Sequence, residues 1–240
     1  MSNPYFRFKQ FTIRQEQCSM KVGTDGVLLG AWVRVGEGLP LRILDVGSGT
    51  GLIAIMLAQR APLAQVDGVE LDEAACLQAQ QNALASPWPR RLRFVHRSFN
   101  APEQGAAPRY DLVVANPPYF RQALLSPNAK RNAARHANDL THEDLIGGSL
   151  RLLAPQGRLA VVLPWAEGNA FAALAAGHGL HCIRRTRVFP KPDKPAKRLL
   201  LEFAREEWAT EEGDLYVEGA AVGAYTDEYR RLTGDFYLKF

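Results

Sequence analysis

The chain has 240 residues, of which 47% are hydrophobic and 22% charged, and its formal net charge is +4 at pH 7. This length suits one sizeable α/β domain with some tens of residues left over, and the composition excludes global disorder. The mildly basic charge is compatible with a polyanionic partner such as nucleic acid but does not require one.

From residue 41 onward, short apolar segments alternate with stretches of helical spacing. Strands are predicted at 41–46, 65–71, 92–96, 112–115 and 159–163, with a closing pair at 181–189 and 198–203. Helices are predicted at 52–60, 72–85, 141–153 and 165–176. This alternation is typical of an α/β fold with a mostly parallel sheet, in which ligands bind at the carboxyl ends of the strands. Because residues 1–40 and 206–240 fall outside the alternation, we expect a single domain over 1–240, with its core at 41–205 and decoration at both ends.

Three glycines, Gly47, Gly49 and Gly51, lie between the first predicted strand and the first predicted helix. Glycine permits positive φ and lets a ligand approach the backbone closely. The loop reads G-x-G-x-G, whereas a dinucleotide loop reads G-x-G-x-x-G, and Leu52 stands where that third glycine would be. Asp45, two residues before the loop, would repel a pyrophosphate but suits a cation or an amino group. These features favour S-adenosylmethionine (SAM), which carries a sulfonium and an ammonium but no phosphate.

An acidic residue, Glu70, follows at the end of the second predicted strand. At this place a carboxylate can accept hydrogen bonds from both hydroxyls of a ribose. Taken alone, Glu70 is equally well explained as a solvated carboxylate, and the glycines as a tight turn. On consecutive strands, the two features together predict a cofactor that contains a nucleoside.

The tetrapeptide Asn116-Pro117-Pro118-Tyr119 ends the fourth predicted strand and indicates the chemistry. The amino nitrogen of adenine is a poor nucleophile, so a catalyst must place hydrogen-bond acceptors that draw it towards tetrahedral geometry in the transition state. The Asn116 side-chain carbonyl and the Pro117 backbone carbonyl can serve as those acceptors, held by two prolines of fixed φ. Tyr119 can stack on the flat base. We therefore predict Asn116 to Tyr119 as the catalytic residues, with no strong general base required.

The cysteines and the apolar segments indicate which kinds of partner and which cell compartment to expect. The three cysteines, Cys18, Cys76 and Cys182, form no CxxC pair, so neither a disulfide framework nor a metal site is indicated. The first residues show no apolar stretch behind a charged start, and no apolar run approaches the ~20 residues of a membrane span. We expect a soluble cytoplasmic protein without membrane or metal partners, and no obligate protein partner is evident.

The motifs DVGSGTG (45–51), VELD (69–72) and NPPY (116–119) together resemble those of class I SAM-dependent methyltransferases that modify amino groups. Four further segments make nearly the whole chain similar to the bacterial tRNA(Val) adenine-N6 methyltransferases: FRFKQF (6–11), KVGTDGVLLGAW (21–32), KPDKPAKRLLLEF (191–203) and GDFYLKF (234–240). The resemblance implies a Rossmann-like fold with a seven-stranded, mostly parallel sheet, helices on both faces and an antiparallel last strand. It also implies a tRNA-processing enzyme that methylates N6 of the adenosine 3′ of the anticodon, tRNA position 37.

By the same resemblance, SAM would be held by the glycine loop, by the ends of the second and third strands and by a turn at Thr24–Gly26 that closes over its methionine end. The implied cofactor residues are Lys21, Thr24, Asp25, Gly26, Asp45, Gly47, Gly49, Gly51, Glu70, Leu71, Ser98, Phe99 and Asn116. Many relatives carry an acidic residue after the third strand to bind the adenine amino group of SAM. Here Ser98 can accept only a weaker bond, and Phe99 can pack on the ring.

Two groups of cations suit an RNA backbone. Lys130, Arg131 and Arg135 lie in a polar stretch at 126–139, which is predicted to be a loop. The second group surrounds the closing strands and comprises Arg184, Arg185, Arg187, Lys191, Lys194, Lys197 and Arg198. Taken singly, each cation is better explained as a solvated surface charge. Their concentration near the active-site loop and the closing strands favours phosphate binding, with valine tRNA as the partner.

Three other functions stay open from the residues alone. The NPPY motif also suits a glutamine amide of a translation release factor or the amino group of a guanine in ribosomal RNA, because any planar amino group fits it. A catalytically silent RNA-binding protein would need no intact glycine loop, Glu70 or Asn116. A nicotinamide-dependent reductase is disfavoured by the spacing of the glycines.

Overall fold

The computed structural model describes residues 3–36, 38–101, 109–117, 140–219, 221 and 223–240. The strands in this part of the chain are β1 (Tyr5–Arg7), β2 (Thr12–Arg14), β3 (Arg42–Val46), β4 (Gln65–Glu70), β5 (Leu92–His96), β6 (Tyr110–Ala115), β7 (Leu153–Pro164), β8 (His181–Phe189), β9 (Arg198–Ala204) and β10 (Glu211–Tyr216). The helices are α1 (Thr24–Trp32), α2 (Leu52–Arg60), α3 (Glu73–Ala85), α4 (His142–Leu152), α5 (Trp165–Gly177) and α6 (Asp227–Thr233).

Strands β3 to β10 form one sheet in the order β10-β8-β9-β7-β6-β3-β4-β5, while β1 and β2 form a separate antiparallel hairpin. Within the described sheet, β9 runs antiparallel to both β7 and β8, and the other neighbouring pairs are parallel. The predicted α/β class, with a mostly parallel sheet and an antiparallel last strand of the closing pair, is confirmed. The strand order reverses between β3 and β6, which opens a crevice at their carboxyl ends.

The described sheet has eight strands, one more than expected, because β10 adds to its edge beside β8. β8 is rich in arginine and β10 in carboxylates, and their register sets Glu211 opposite Arg184 and Asp214 opposite Arg187. The Arg187 guanidinium donates two hydrogen bonds to Asp214, of 2.5 and 2.8 Å. Opposite charges across neighbouring strands favour this pairing. Residues 211–216, which are predicted to be decoration, therefore extend the main sheet.

The helix predictions are confirmed to within one or two residues for α2 to α5. Asp72 caps α3, since its side chain accepts a hydrogen bond from Ala75 N at 2.8 Å. The prediction of a separate turn at Thr24–Gly26 is wrong, because these residues form the first turn of helix α1. The helix forms because residues from Gly26 to Trp32 are all buried between α2 and the sheet, and burial of the whole stretch outweighs its two glycines.

Alternate residues of β6 supply the cores on the two faces of the sheet. Leu112 and Val114 pack with the core under α1, α2 and α3. Val113 and Ala115 pack with the opposite core under α4 and α5. A strand covered on both faces is apolar at every position, as LVVA is here. None of the helices in the described ranges is long and apolar enough to cross a membrane.

The two ends of the described chain pack together beside α1. Lys9 N donates to Phe236 O at 2.8 Å, and the Phe8 ring stacks on Tyr237 with centroids 6.0 Å apart. Phe8, Phe236 and Val27 of α1 belong to one small apolar core. The N- and C-terminal segments thus form a single layer over the start of α1, next to the crevice.

Candidate active site

Three predicted site residues emerge side by side from neighbouring strands. Val46 of β3 lies in register with Ala115 of β6 and with Val69 of β4. The next residue on each strand is therefore Gly47, Asn116 or Glu70, and all three leave the sheet at its carboxyl edge. The reversal of strand order between β3 and β6 places them in the crevice, as the βαβ pattern predicts.

The glycine loop has the backbone conformation that only glycine adopts readily. Gly47, Gly49 and Gly51 have φ of 67°, 52° and 78°. A Cβ added to Gly47 or Gly49 would meet nothing within 4 Å, whereas one at Gly51 would lie 2.8 Å from Phe94 Cζ. Gly47 and Gly49 thus border open space where a ligand can approach the backbone, while Gly51 allows close packing of the loop on β5.

The Glu70 carboxylate is fixed by two backbone donors. Its Oε2 accepts a hydrogen bond from Gly49 N at 2.7 Å, and its Oε1 accepts one from Asp72 N at 2.9 Å. Each carboxylate oxygen has a second lone pair, so both oxygens can still accept a hydrogen bond from a ligand. The same side chain therefore orders the glycine loop and offers acceptors beside it.

Asp45 is buried beneath the loop, with only 1% of its surface exposed. Its Oδ2 accepts a hydrogen bond from Ala54 N at 3.1 Å, and its Oδ1 has no hydrogen-bond partner among the described residues. Burial raises the pKa of the Asp45 carboxyl to about 7, and the nearby Glu70 carboxylate adds to the rise. A cationic group bound at the loop would stabilise the charged form of this carboxyl.

The raised pKa of Asp45 predicts a pH-dependent stability of the ligand-free protein. Because the folded state binds the proton more tightly, the contribution of this carboxyl is fully present below the unfolded pKa of 3.8 and is lost as pH rises to about 7. Relative to Asp45→Asn, we expect the free energy of unfolding of the wild type to fall over this range by up to about 4 kcal/mol. Urea unfolding at a series of pH values measures the difference, and a constant difference would contradict the prediction.

The amide of Asn116 stands at the crevice with one atom unsatisfied. Its Oδ1 is buried and has no hydrogen-bond partner within the described part of the chain. A buried carbonyl without a donor is costly, and such an atom is a candidate for contact with a ligand. Pro117 is buried directly after it. Pro118 and Tyr119, the other two predicted catalytic residues, lie outside the described residues, as do Lys130, Arg131 and Arg135.

The first turn of α1 reaches the same crevice. A Cβ on Gly26 would lie 3.2 Å from Leu52 Cδ2 and 4.0 Å from Asn116 Nδ2, so this glycine lets α1 pack closely on the start of α2. Asp25 forms an ion pair with Arg198 of β9, at 2.9 Å. Thr24 is exposed at the start of the helix. Of the three residues predicted to lie near the cofactor, Gly26 therefore borders Asn116.

The N-terminal segment is held beside the glycine loop by buried amides that the sequence analysis does not single out. Asn82 Oδ1 accepts a hydrogen bond from Arg14 N, and its Nδ2 donates to Thr50 O, both at 2.9 Å. The Gln15 side chain accepts from Val22 N at 2.8 Å. Isolated polar residues inside apolar or alanine-rich segments produce no periodic signal, so only the structure identifies them.

Lys21 and Cys18 lie in this N-terminal segment. The ammonium of Lys21 donates a hydrogen bond to Gln15 O. Burial raises the pKa of the Cys18 thiol to about 11, and the nearby Glu70 carboxylate adds to that rise. Cys18 therefore lies near Glu70, whereas Lys21 contacts the N-terminal segment itself.

The other predicted cofactor residues flank Glu70. Leu71 is 45% exposed and offers an apolar surface next to the carboxylate. Ser98 Oγ accepts a hydrogen bond from Asn100 N at 3.2 Å. Phe99 is 7% exposed, and a Cβ on Gly148 of α4 would lie 2.2 Å from its ring. Leu71 and Ser98 thus lie just past the carboxyl ends of β4 and β5, and Phe99 lies in the core under α4.

Several of the predicted RNA-binding cations have acidic partners. Lys191 lies 3.2 Å from the Glu218 carboxylate, and Lys194 lies 3.4 Å from the Asp193 carboxylate. Arg184, Arg185 and Arg187 pair with carboxylates of β10. Lys197 is exposed, and no described carboxylate lies within 4 Å of its ammonium. In the ranges that the structure covers, no group of three or more His, Cys, Asp or Glu side chains could hold a metal ion.

Comparisons with known proteins agree with this geometry. A family model described as "Methyltransferase small domain" matches residues 35–170. The tRNA1(Val) (adenine(37)-N6)-methyltransferase of Serratia proteamaculans is 47% identical over 97% of this chain and 89% of its own length. The protein of the same name from Parabacteroides distasonis is 44% identical over the full length of both chains.

The structure is also similar to solved methyltransferases. A predicted O-methyltransferase from Agrobacterium tumefaciens matches with a TM-score of 0.69 and 19% identity, over 88% of this chain and 96% of that chain. At this identity the likeness shows the fold alone. The fold is the Rossmann-like methyltransferase fold, with the β10 strand added at its edge.

Proposed function

Because the chain belongs to the methyltransferase small domain family, and within it to the tRNA1(Val) (adenine(37)-N6)-methyltransferases, we propose that it methylates N6 of adenosine 37 in a valine tRNA. The chain is a SAM-dependent methyltransferase, and SAM is its cofactor. The acceptor, the residues that act on it and the RNA surface are proposals, and each rests on particular atoms of the site.

The observation that carries the proposal is the unsatisfied Oδ1 of Asn116 at the carboxyl end of β6. An amino group bound here would donate a hydrogen bond to this atom, and the Pro117 backbone carbonyl would accept the second one. Two acceptors favour the geometry in which the nitrogen lone pair points away from the ring, which is the geometry of attack. Bound SAM supplies an electrophilic methyl group.

The residues around the glycine loop fit SAM. Open space at Gly47 and Gly49 accommodates a ligand against the backbone. The unpaired, buried Oδ1 of Asp45 suits the positive charge of the methionine end, and the fixed oxygens of Glu70 suit ribose hydroxyls. Exposed Leu71 would support one side of the adenine. Gly26 borders Asn116, and the first turn of α1, with Thr24 and Asp25, would enclose the methionine end. The resemblance also assigns Lys21 and Gly51 to the cofactor site, and Ser98 and Phe99 to the adenine of SAM.

Binding and positioning are the main tasks of these side chains. A planar base must leave its stack to reach Asn116, which is easiest in an exposed single-stranded loop. Tyr119, as proposed from the sequence, would stack on the base once it has entered. The methylated nitrogen loses its proton readily, so no general base is assigned.

The chain is proposed to form a single domain over 1–240. The packing of both its ends on α1 supports this proposal.

The described cations suggest how RNA would approach. Lys194 and Lys197 are both exposed in the loop between β8 and β9, and of the two only Lys194 lies within 4 Å of a described carboxylate. We expect Lys197→Glu to lower the slope of log Kd against log salt concentration for valine tRNA by about 1, and Lys194→Glu to lower it by less, because Asp193 already neutralises Lys194. Arg93→Glu, an exposed change on β5 at the far edge of the sheet, is the matched control. Equal slopes for all four proteins would remove this loop from the RNA surface.

The proposed acceptor is tested by comparing methyl transfer to different RNAs and proteins. Unmodified valine tRNA should accept labelled methyl from SAM, and the same tRNA with guanosine in place of adenosine 37 should not. Transfer to ribosomal RNA or to a release-factor glutamine, with none to valine tRNA, would overturn the acceptor and keep the methyltransferase. Tight SAM binding with no transfer to any of these acceptors would favour the catalytically silent alternative.

A further inference from the structure

The terminal layer next to the active site contains an open cavity. It has a volume of about 480 Å³ and lies between β1, the start of α1 and the C-terminal segment. Its walls are rich in aromatic side chains: Phe6, Tyr225, Tyr229, Tyr237 and Phe240. A cavity of this size, apolar with a few polar groups, is typical of a site for a small planar group.

The aromatic wall is rigid and partly exposed. Tyr225 is 41% exposed, and its ring stacks on buried Tyr229 with centroids 5.3 Å apart and an interplanar angle of 27°. Phe240 contacts the Tyr225 ring edge-on, with a centroid distance of 4.9 Å. A ring fixed in this way loses little side-chain entropy when a second flat group stacks on it.

Positive charge surrounds the cavity. Arg7 and Lys239 line it, both are exposed, and neither has an ion-pair partner within 4 Å among the described residues. The lining also includes the carboxylate of Glu218, but Lys191 neutralises it at 3.2 Å. This differs from β8, where the cations are paired with β10. The combination of aromatic rings and unpaired cations suits a nucleobase with its phosphates.

The cavity and the reactive amide lie on two sides of the first turn of α1. Thr24 both lines the cavity and begins α1. Gly26, two residues further along the same turn, borders Asn116. Because residues i and i+2 of a helix face nearly opposite sides, the width of one helix, ~10 Å, separates the cavity from the amide. A strand of RNA that places one base at Asn116 and crosses the start of α1 would therefore bring a nearby nucleotide to the cavity.

We propose that this cavity binds a second, unpaired nucleobase of the RNA, close in the strand to the methylated adenosine, stacked on Tyr225 with its phosphates near Arg7 and Lys239. The inference rests on the proposed function, because it takes single-stranded RNA as the substrate. The cavity thus adds a specificity site to the catalytic one: it would select substrates whose acceptor has an unstacked neighbour.

The test is a double-mutant cycle between protein and RNA. Dissociation constants are measured for the anticodon stem-loop of valine tRNA and for versions with a single abasic site at each loop position except the acceptor. Tyr225→Ala should weaken binding of the intact stem-loop about tenfold, whereas Tyr225→Phe, which keeps the ring, should change it less than about twofold. At one abasic position close to the acceptor, the effect of Tyr225→Ala should disappear, which shows that the Tyr225 ring and the missing base interact.

Other variants separate local effects from general ones. Arg7→Glu should weaken binding of all stem-loops and leave the abasic pattern intact, while Trp208→Ala, an exposed aromatic before the amino end of β10, should have no effect. SAM affinity and melting temperature report whether each variant is folded. The cavity proposal is overturned if Tyr225→Ala weakens binding by the same factor at every abasic position. It is also overturned if neither Tyr225→Ala nor Arg7→Glu changes the dissociation constants.

The same experiment distinguishes the two proposals. If the wild type methylates the stem-loop but shows no coupling to Tyr225, the cavity proposal fails and the function stands. If the wild type neither binds nor methylates the stem-loop, both fail. Specific capture of an aromatic peptide in the cavity, with RNA binding unaffected by Tyr225→Ala, would assign the cavity to a protein partner and overturn the inference.

Discussion

Asn116→Ala is expected to lower kcat for valine tRNA by about 10²–10³-fold, the usual loss when one polar group that stabilises a transition state is removed. The variant lacks the Oδ1 that has no partner among the described residues and that is proposed to accept a hydrogen bond from the adenine amino group. Because this bond strengthens as the nitrogen becomes tetrahedral, the loss should appear in kcat and much less in KM for RNA. Single-turnover methyl transfer at saturating SAM measures it.

Two controls make this result specific. Gln156→Ala removes an exposed amide near the amino end of β7, away from the crevice, and should leave kcat within about twofold of the wild type, as is usual for surface substitutions. SAM should bind Asn116→Ala nearly as tightly as the wild type, which shows that the variant is folded at the glycine loop. Activity of Asn116→Ala within a few fold of the wild type would contradict the catalytic assignment.

Glu70→Ala is expected to weaken SAM binding by about 10²-fold, because the variant loses acceptors for charge-assisted hydrogen bonds from a ribose and the bond that holds Gly49. In the wild type, Gly49 N and Asp72 N fix the carboxylate at 2.7 and 2.9 Å, so its orientation is set before the cofactor arrives. Isothermal titration with SAM measures the change. kcat at saturating SAM should change much less, since Glu70 is not assigned to the transition state.

Glu73→Ala, which removes an exposed carboxylate in the first turn of α3, is the matched control and should bind SAM like the wild type. Glu70→Gln retains one carbonyl acceptor, so its SAM affinity should lie between those of Glu70→Ala and Glu73→Ala. If Glu70→Ala and Glu73→Ala bind SAM equally well, Glu70 is not a cofactor residue, and its role is confined to ordering the loop.

The arrangement of the site could be predicted because strand ends carry it. Alternating strands and helices place the carboxyl ends of parallel strands at one edge, so Gly47, Glu70 and Asn116 were expected to meet there. The register of β3 with β4 and β6 brings them together, with Gly47 between Asn116 and Glu70. The pattern of apolar segments also gives α2 to α5 closely. α3 and α4 have the capping side chains Asp72 and Thr141, whereas α5 has no capping side chain.

Features that depend on distant partners could not be predicted. Strand β10 has few apolar residues and is specified by the arginines of β8, which lie well before it in the chain. For the same reason, cations such as Arg187 and Arg198 look available in the sequence although Asp214 and Asp25 pair with them. The tethering of the N-terminal segment by Asn82 follows only from the tertiary contacts, because a single buried amide leaves no pattern.

The most direct test of the central claim is to locate the methyl group. Unmodified valine tRNA is incubated with the protein and labelled SAM, digested with a nuclease of known specificity, and analysed by mass spectrometry of nucleosides and fragments. We expect N6-methyladenosine in the single fragment that contains position 37, and none when Asn116→Ala replaces the wild type. Label in another nucleoside or another fragment, or label that persists with Asn116→Ala, would contradict the account.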